Sequence, residues 1–304
     1  MASVARKQSS EPGGPASGVR ASDADVGEID WLSACRRMVA AQRELFAAQR
    51  GIAARTVYAG IGEGGDRALA IDRRCEDIVF AELARLHAEG HQFRAISEER
   101  GEVAFGDSGS AIRAIVDPLD GSLNARRTLP SHSLSIAIAL GPTMADVELG
   151  YVYDFGAAEE YFAVRGQGAT LDGQELRAQG PGFGLEVVGI ESAKPERALP
   201  LLEELAGKAY RIRAVGSIAI SLCYVAGGRF DGMLTGRACR SVDAAGGQLI
   251  AREAGAEVVF GGAGLDVSLD LDARFHVAAA LNRELLATVL EAQERAEPPP
   301  EPGT

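Results

Sequence analysis

The 304-residue sequence predicts a layered α+β fold, and three observations point there. Amphipathic helical patterns come first, a meander of short strands follows, and α and β segments alternate in the second half. That order suits stacked layers rather than one continuous parallel sheet. The length lies near the upper limit for a single core, which favours one large domain or two close-packed subdomains. Hydrophobic residues at 46% and charged residues at 24% are the balance of an ordinary soluble globular chain.

The elements follow in order. Residues 1–27 are rich in Ser, Gly, Pro and Ala, and 296–304 are Pro-rich. Neither end buries enough apolar surface to offset its ordering entropy, so both are expected to be disordered tails around a folded 28–295. Ile29, Leu32, Cys35, Met38, Val39 and Leu45 recur at helical spacing up to Gly51. A Gly-rich loop over 59–65 leads to a second helix from about Asp72 to Ala88, with Cys75, Ile78, Val79, Leu83 and Leu86 on one face. Short β-branched or alternating runs over 111–116, 133–140, 147–153 and 160–164 read as strands. Two more strands are expected over 185–190 and 211–215, then a helix over 217–227 and a strand near 230–234. Asp243 heads a helix to Ala254, strands cover 257–260 and 275–280, and a helix over 282–293 closes the fold.

Charge narrows the function. Lys+Arg 31 against Asp+Glu 43 leave a net charge of −12, which argues against a nucleic-acid scaffold, since phosphate backbones are bound by clustered cations. A small anionic substrate would need local positive charge, and bound metal ions are one source of it. No run approaches the ~20 apolar residues of a membrane helix. Arg6 and Lys7 have no apolar segment behind them, so no secretory signal is expected. Cys35, Cys75, Cys223 and Cys239 are scattered, which fits buried thiols in a reduced, cytoplasmic setting.

The strongest motif is Ile115-Val-Asp-Pro-Leu-Asp-Gly-Ser-Leu-Asn124. An apolar strand delivers Asp117, and Asp120 returns three residues later before Gly121. Two carboxylates this close repel unless a cation lies between them, and hard divalent ions such as Mg²⁺ favour carboxylate and carbonyl oxygens, Leu119 supplying a carbonyl. The plain alternative is an Asp-Pro/Asp-Gly turn. Three further acidic positions stand out, each with its own plain explanation. Asp72 and Asp243 could be helix N-caps, and Glu98-Glu99 could be a solvated charge pair.

Taken together, these segments resemble the inositol monophosphatase / fructose-1,6-bisphosphatase superfamily of Mg²⁺-dependent, Li⁺-sensitive phosphatases, most of all its archaeal-type dual-activity branch. The carrying segments are Asp72, Glu98-Glu99, Asp117–Asn124, Val215-Gly-Ser-Ile-Ala219 and Asp243-Ala-Ala-Gly246, supported by Leu134–Ala137 and the Gly166–Ala169 turn. They agree in order across residues 30 to 290. The resemblance implies an αβαβα sandwich of two subdomains, 28–180 and 181–295, meeting at the metal site. It implies two or three Mg²⁺ ions. Glu98, Asp117 and the Leu119 carbonyl would hold the first, and Asp117, Asp120 and Asp243 the second, with Glu98 also serving a weaker third. Gly121 and Ser122 would bind the phosphate, and Asp72 would pair with Ser122 to activate the attacking water, Glu98 sharing the catalytic role through its metal. Gly216, Ser217 and Arg213 would line the leaving-group side. The chemistry agrees: metal ions lower the pKa of a bound water and screen a phosphate monoester from its attack. Relatives of this kind commonly form homodimers.

Departures from the family pattern shape the substrate expectation. Leu69 stands where the family has Thr, Ser122 replaces Thr, and Val242 replaces Trp. Gly236 leaves space where animal enzymes have the acid that meets the inositol ring, and Arg237 follows it. These favour a larger or doubly charged sugar phosphate, fructose 1,6-bisphosphate beside inositol 1-phosphate, with Arg237 as a substrate contact. Histidinol phosphate, nucleotide 3′-phosphates and a non-catalytic regulatory role are the alternatives. Three features are set aside: Gly60–Gly65 follows a helix, unlike a dinucleotide loop; His87 and His91 lack a zinc-protease helix; and Arg126-Arg127 read as an exposed turn.

Overall fold

The computed structural model describes residues 28–61, 67–191 and 194–296; the expected tails and the centre of the Gly-rich loop lie outside them. The first helix, α1 (Trp31–Ala48), starts where Asp30 Oδ1 accepts the Ser33 N–H at 3.0 Å, and buries Trp31, Cys35, Met38, Val39 and Phe46. A single turn, Ile52–Arg55, leads to the antiparallel strands β1 (Tyr58–Ile61) and β2 (Arg67–Leu69). This pair corrects the all-loop expectation for 59–65. Next, α2 (Ala70–Ala88) begins two residues before Asp72, which therefore lies inside the first turn instead of capping it.

The eight-stranded sheet is built from β3 (Phe93–Ser97), β4 (Gly101–Phe105) and β5 (Arg113–Asp120), then, past the short helix α3 (Ser122–Arg127), from β6 (Ser133–Ala139), β7 (Val147–Asp154), β8 (Glu159–Val164), β9 (Ala169–Leu171) and β10 (Gln174–Leu176). Its order is β10-β9-β8-β7-β6-β5-β3-β4. From β5 to β10 it is an antiparallel meander; β3 joins β5 in parallel. Helix α3 replaces the turn expected at Arg126-Arg127, and puts both arginines in its last turn.

The second half folds as β11 (Leu185–Glu191), α4 (Pro195–Leu205), β12 (Ala209–Arg213), α5 (Ile218–Ala226), β13 (Gly232–Thr235), α6 (Ser241–Glu253), β14 (Glu257–Phe260), β15 (Val277–Ala280) and α7 (Arg283–Ala296). Its sheet has the order β12-β11-β13-β15-β14. Helix α4 carries the crossover between the parallel strands β11 and β12, as parallel neighbours require.

Five layers result. Helices α1 and α2 cover the outer face of the large sheet, while α5 and α6 lie between the two sheets. Helices α4 and α7 pack together behind the small sheet. The central position of α6 shows in its sequence, where Val242, Ala244 through Ala251 are buried all round. One hydrophobic core runs from Ile115 and Val152 through Leu222 and Ile250 to Met233 and Val277, joining both sheets. All four cysteines are buried and free.

Candidate active site

Strand β5 carries both aspartates of the Asp-Pro-Leu-Asp segment. In a regular strand, residues three apart face opposite sides. Here Asp117 stands opposite Ser135 and Asp120 opposite Ser133, three steps against two. That is a β-bulge, which resets the alternation and brings both carboxylates to one side. Pro118 suits the bulge because it has no N–H to strand there, and its carbonyl accepts the buried Gln42 Nε2–H at 2.9 Å.

Neighbouring elements bring the other acids. Ser97 on β3 is level with Val116 on β5, so Glu98 leaves the strand end beside Asp117. Asp243 sits in the first turn of α6, where its Oδ2 accepts the Arg240 N–H at 2.8 Å. Asp72, in the first turn of α2, is near enough to raise the Asp117 pKa. Glu98 forms an ion pair with Arg240, which ties it to the same cluster.

The electrostatics follow from crowding. Burial, then Asp120, then Asp243 push the Asp117 carboxyl well above the usual range. Burial and Asp243 push Asp120 up to about 7. Burial raises Asp243 as well, against the pull of the Arg240 N–H and of Arg240, Arg237 and Arg274. Carboxylates sharing such a site cannot all ionise without a cation between them. The donors are all oxygen, which suits a hard ion such as Mg²⁺ better than zinc, which takes nitrogen and sulfur. Among the described residues, no three Asp, Glu, His or Cys side chains already close into a metal cage. Glu98 is engaged by Arg240 and Asp120 by its hydrogen bonds, so the donor set fits a divalent ion while its oxygens remain on protein partners.

A pH dependence is expected from this. Asp120 holds its proton more tightly folded (about 7) than unfolded, where an aspartate titrates near ~3.9. Its contribution to stability is complete below the unfolded value and lost as pH rises through the folded one. Without divalent ion the melting temperature should therefore fall from pH 5 to pH 8. Added Mg²⁺ should raise it more at pH 8 than at pH 5, because protons compete for the same oxygens below about 7. Thermal melts in EDTA and in Mg²⁺ at both values check this; equal Mg²⁺ shifts would contradict it.

The turn expected to meet the phosphate is one that only glycine fits. Gly121 has φ 84°, and a Cβ there would lie 2.7 Å from the Ser131 carbonyl oxygen. Asn124 Nδ2 donates to the carbonyls of Ser131 at 2.8 Å and Val215 at 2.7 Å, lashing this turn to the one at 215–217. Gly216, with φ 83°, packs against that same Asn124 amide.

Several expected contacts are placed differently. The Ser122 hydroxyl donates to the Leu119 carbonyl at 2.9 Å, so its one proton is not spent on Asp72. The Ser217 hydroxyl is buried; it donates to Asp120 Oδ2 at 2.6 Å and accepts the Ile220 N–H, so it caps α5 and steadies Asp120 instead of lining a pocket. Arg213 is exposed on β12 and donates to its neighbour Ile212. The space expected at Gly236 is occupied: its N–H donates to the Glu191 carbonyl at 2.8 Å, and a Cβ would meet Leu201 at 3.3 Å and Arg197 at 3.6 Å on α4. Arg237 is exposed beside Asp243. His87 Nδ1 lies 2.9 Å from the backbone carbonyl of His91, four residues on.

Two residues that matter here have no motif. Arg240 is invisible in sequence because its partner Glu98 is far along the chain. Glu191 ends β11 and accepts hydrogen bonds from the 215–221 segment; a lone acid at a strand end is the only signal.

The sequence model of the inositol monophosphatase family matches residues 33–297. A fructose-1,6-bisphosphatase/inositol-1-monophosphatase of Thermococcus kodakarensis is 35% identical over 237 residues, covering 77% of this chain and 86% of its own. An inositol-1-monophosphatase of Mesorhizobium japonicum is 36% identical over 200 residues, covering 63% and 71%. Among solved structures, an inositol monophosphatase–fructose 1,6-bisphosphatase superposes with a TM-score of 0.74 at 25% identity, covering 87% of this chain and all of that one.

Proposed function

Because the chain belongs to the inositol monophosphatase family, we propose that it is a Mg²⁺-dependent phosphatase of sugar or cyclitol phosphate monoesters, acting on fructose 1,6-bisphosphate and inositol 1-phosphate. The observation that carries the metal dependence is the set of acids at Asp117, Asp120 and Asp243, each with its pKa raised by burial and each oxygen-only. Glu98, the Leu119 carbonyl and these aspartates would hold two or three ions. Bound there, Mg²⁺ supplies an acidified water and screens the phosphoryl oxygens.

The residues then have distinct tasks. The Gly121 turn, which passes too close to the Ser131 carbonyl for any side chain, would offer backbone N–H groups to the phosphate. Asp72, whose charge is felt at Asp117, would take up the proton of an attacking water. Arg237 adds a cation beside the site, and Arg240 pairs with Glu98, one of the acids that would hold an ion. Gly216 borders the leaving-group side. The chain further reads as subdomains 28–180 and 181–295 in a homodimer, and its scattered, buried cysteines suit a cytoplasmic setting. Among the described residues, no helix is long and apolar enough to cross a membrane.

Arg237 gives a substrate test. A guanidinium has paired donors for a phosphate, and a charge-assisted contact of ~1.5–3 kcal/mol corresponds to roughly ten-fold in kcat/KM or more. Arg237→Ala is expected to lower kcat/KM for the bisphosphate by about that factor more than for inositol 1-phosphate. Steady-state kinetics on both substrates measure the ratio, and equal losses on the two would place Arg237 outside the substrate.

A further inference from the structure

A buried acid outside the metal cluster joins the two halves of the site. Glu191, at the end of β11, is 1% exposed. Its carboxylate accepts the Val215 N–H at 3.1 Å, the Gly216 N–H at 2.8 Å and the Ser221 hydroxyl at 2.6 Å. These partners are all donors, as an ionised carboxylate requires. They bracket the turn that ends in Ser217, whose hydroxyl donates to Asp120 Oδ2 at 2.6 Å while the Ala219 N–H donates to the same oxygen at 2.8 Å.

We propose that Glu191 is a positioning residue that sets Asp120 for metal binding, acting through the 215–217 turn and Ser217. The proposal rests on the metal-dependent reading above and extends it to a residue that touches neither ion nor substrate. The physical reason is that Asp120 has its carboxylate oriented by two donors on one short segment, and that segment is anchored at three points by one buried carboxyl group. An anchor of this kind fixes a ligand's orientation, and loss of such outer partners typically costs about 10–100-fold in metal affinity. Gln in place of Glu191 would keep the size but turn an amide N–H₂ toward groups that are themselves donors, leaving at least one of them unpaired.

The test compares Glu191→Gln and Ser217→Ala with the parent protein by isothermal titration with Mg²⁺ alone, next to thermal melts in EDTA. Both variants should bind Mg²⁺ about ten-fold or more weakly. The double variant should be little worse than either single one, because they interrupt the same line of contacts. A role confined to folding would lower the melting temperature of Glu191→Gln yet leave Mg²⁺ affinity of the folded protein unchanged, and that result overturns the proposal. If Glu191→Gln does not fold, Ser217→Ala alone decides, since it removes one hydroxyl: unchanged Mg²⁺ affinity then refutes the link. Failure of the parent protein to bind Mg²⁺ at all would instead overturn the metal-dependent reading on which the proposal stands.

Discussion

Asp120→Asn is expected to lower kcat/KM by more than the roughly 100-fold that loss of a mere outer partner can cost, while making the metal-free protein more stable. Both effects come from one charge. In the folded chain, burial and Asp243 push the Asp120 carboxyl up to about 7 even against the hydrogen bonds from Ser217 and Ala219, so near neutral pH its ionised form is held at a cost that a cation would offset. Asparagine removes that repulsion, and the melting temperature in EDTA at pH 8 should rise. It also removes the charge two ions would share. The amide has a further geometric problem, since Ser217 and Ala219 both donate to Oδ2. If the amide oxygen stays there, the N–H₂ group faces the ion; if it flips, it faces two donors. A variant that is inactive and less stable in EDTA would point to misfolding instead, and the account of Asp120 would fail.

Gly246→Val is expected to be the most damaging change away from the charged cluster. Helix α6 lies backbone against backbone on the large sheet. A Cβ at Gly246 would fall 2.9 Å from the Ile136 carbonyl oxygen and 3.0 Å from Ser135 Oγ, and one at Gly150 on β7 would fall 2.5 Å from the Gly246 carbonyl. Carbonyls of a central strand cannot step aside, so the helix must lift. Overpacking of this kind costs ~1–3 kcal/mol or more, roughly 2–4 °C of melting temperature per kcal/mol in a domain approaching this size. Asp243 sits one turn earlier on the same helix, so lifting it also moves a carboxylate away from Asp117 and Asp120. Melts with and without Mg²⁺ separate the two consequences. The variant should lose stability in EDTA and also lose most of the Mg²⁺-induced rise. An unchanged melting temperature would mean that the close approach does not determine the helix position.

The legible parts of the molecule are those whose signal is local. Asp117 and Asp120 stand out because Pro118 and Gly121 punctuate an apolar strand, and the bulge that aligns them follows from their odd spacing. Asp243 is legible as an acid opening a helix of small residues. Helix α4 was hidden by Pro195 and Pro200, although Pro at the first helical position is permitted. Gly236 reads as space only from its place in the family pattern, whereas Arg197 and Leu201 of α4 fill that side. The ion pair of Glu98 with Arg240 and the hold of Glu191 on Gly216 join residues far apart in sequence. Nothing short-range encodes such pairs; they exist only once the two sheets close over α5 and α6. Ser217 shows the same limit, because a serine before a helix reads equally as a cap or a pocket residue, and the fold makes it a cap that also grips Asp120.

The most direct measurement is phosphate release from fructose 1,6-bisphosphate and inositol 1-phosphate by the purified 304-residue chain, in Mg²⁺ and in excess EDTA. The carboxylate cluster predicts release from both esters in Mg²⁺, none above background in EDTA, and recovery when Mg²⁺ is restored. Release at an undiminished rate in EDTA, or none from either ester with Mg²⁺ present, would contradict it.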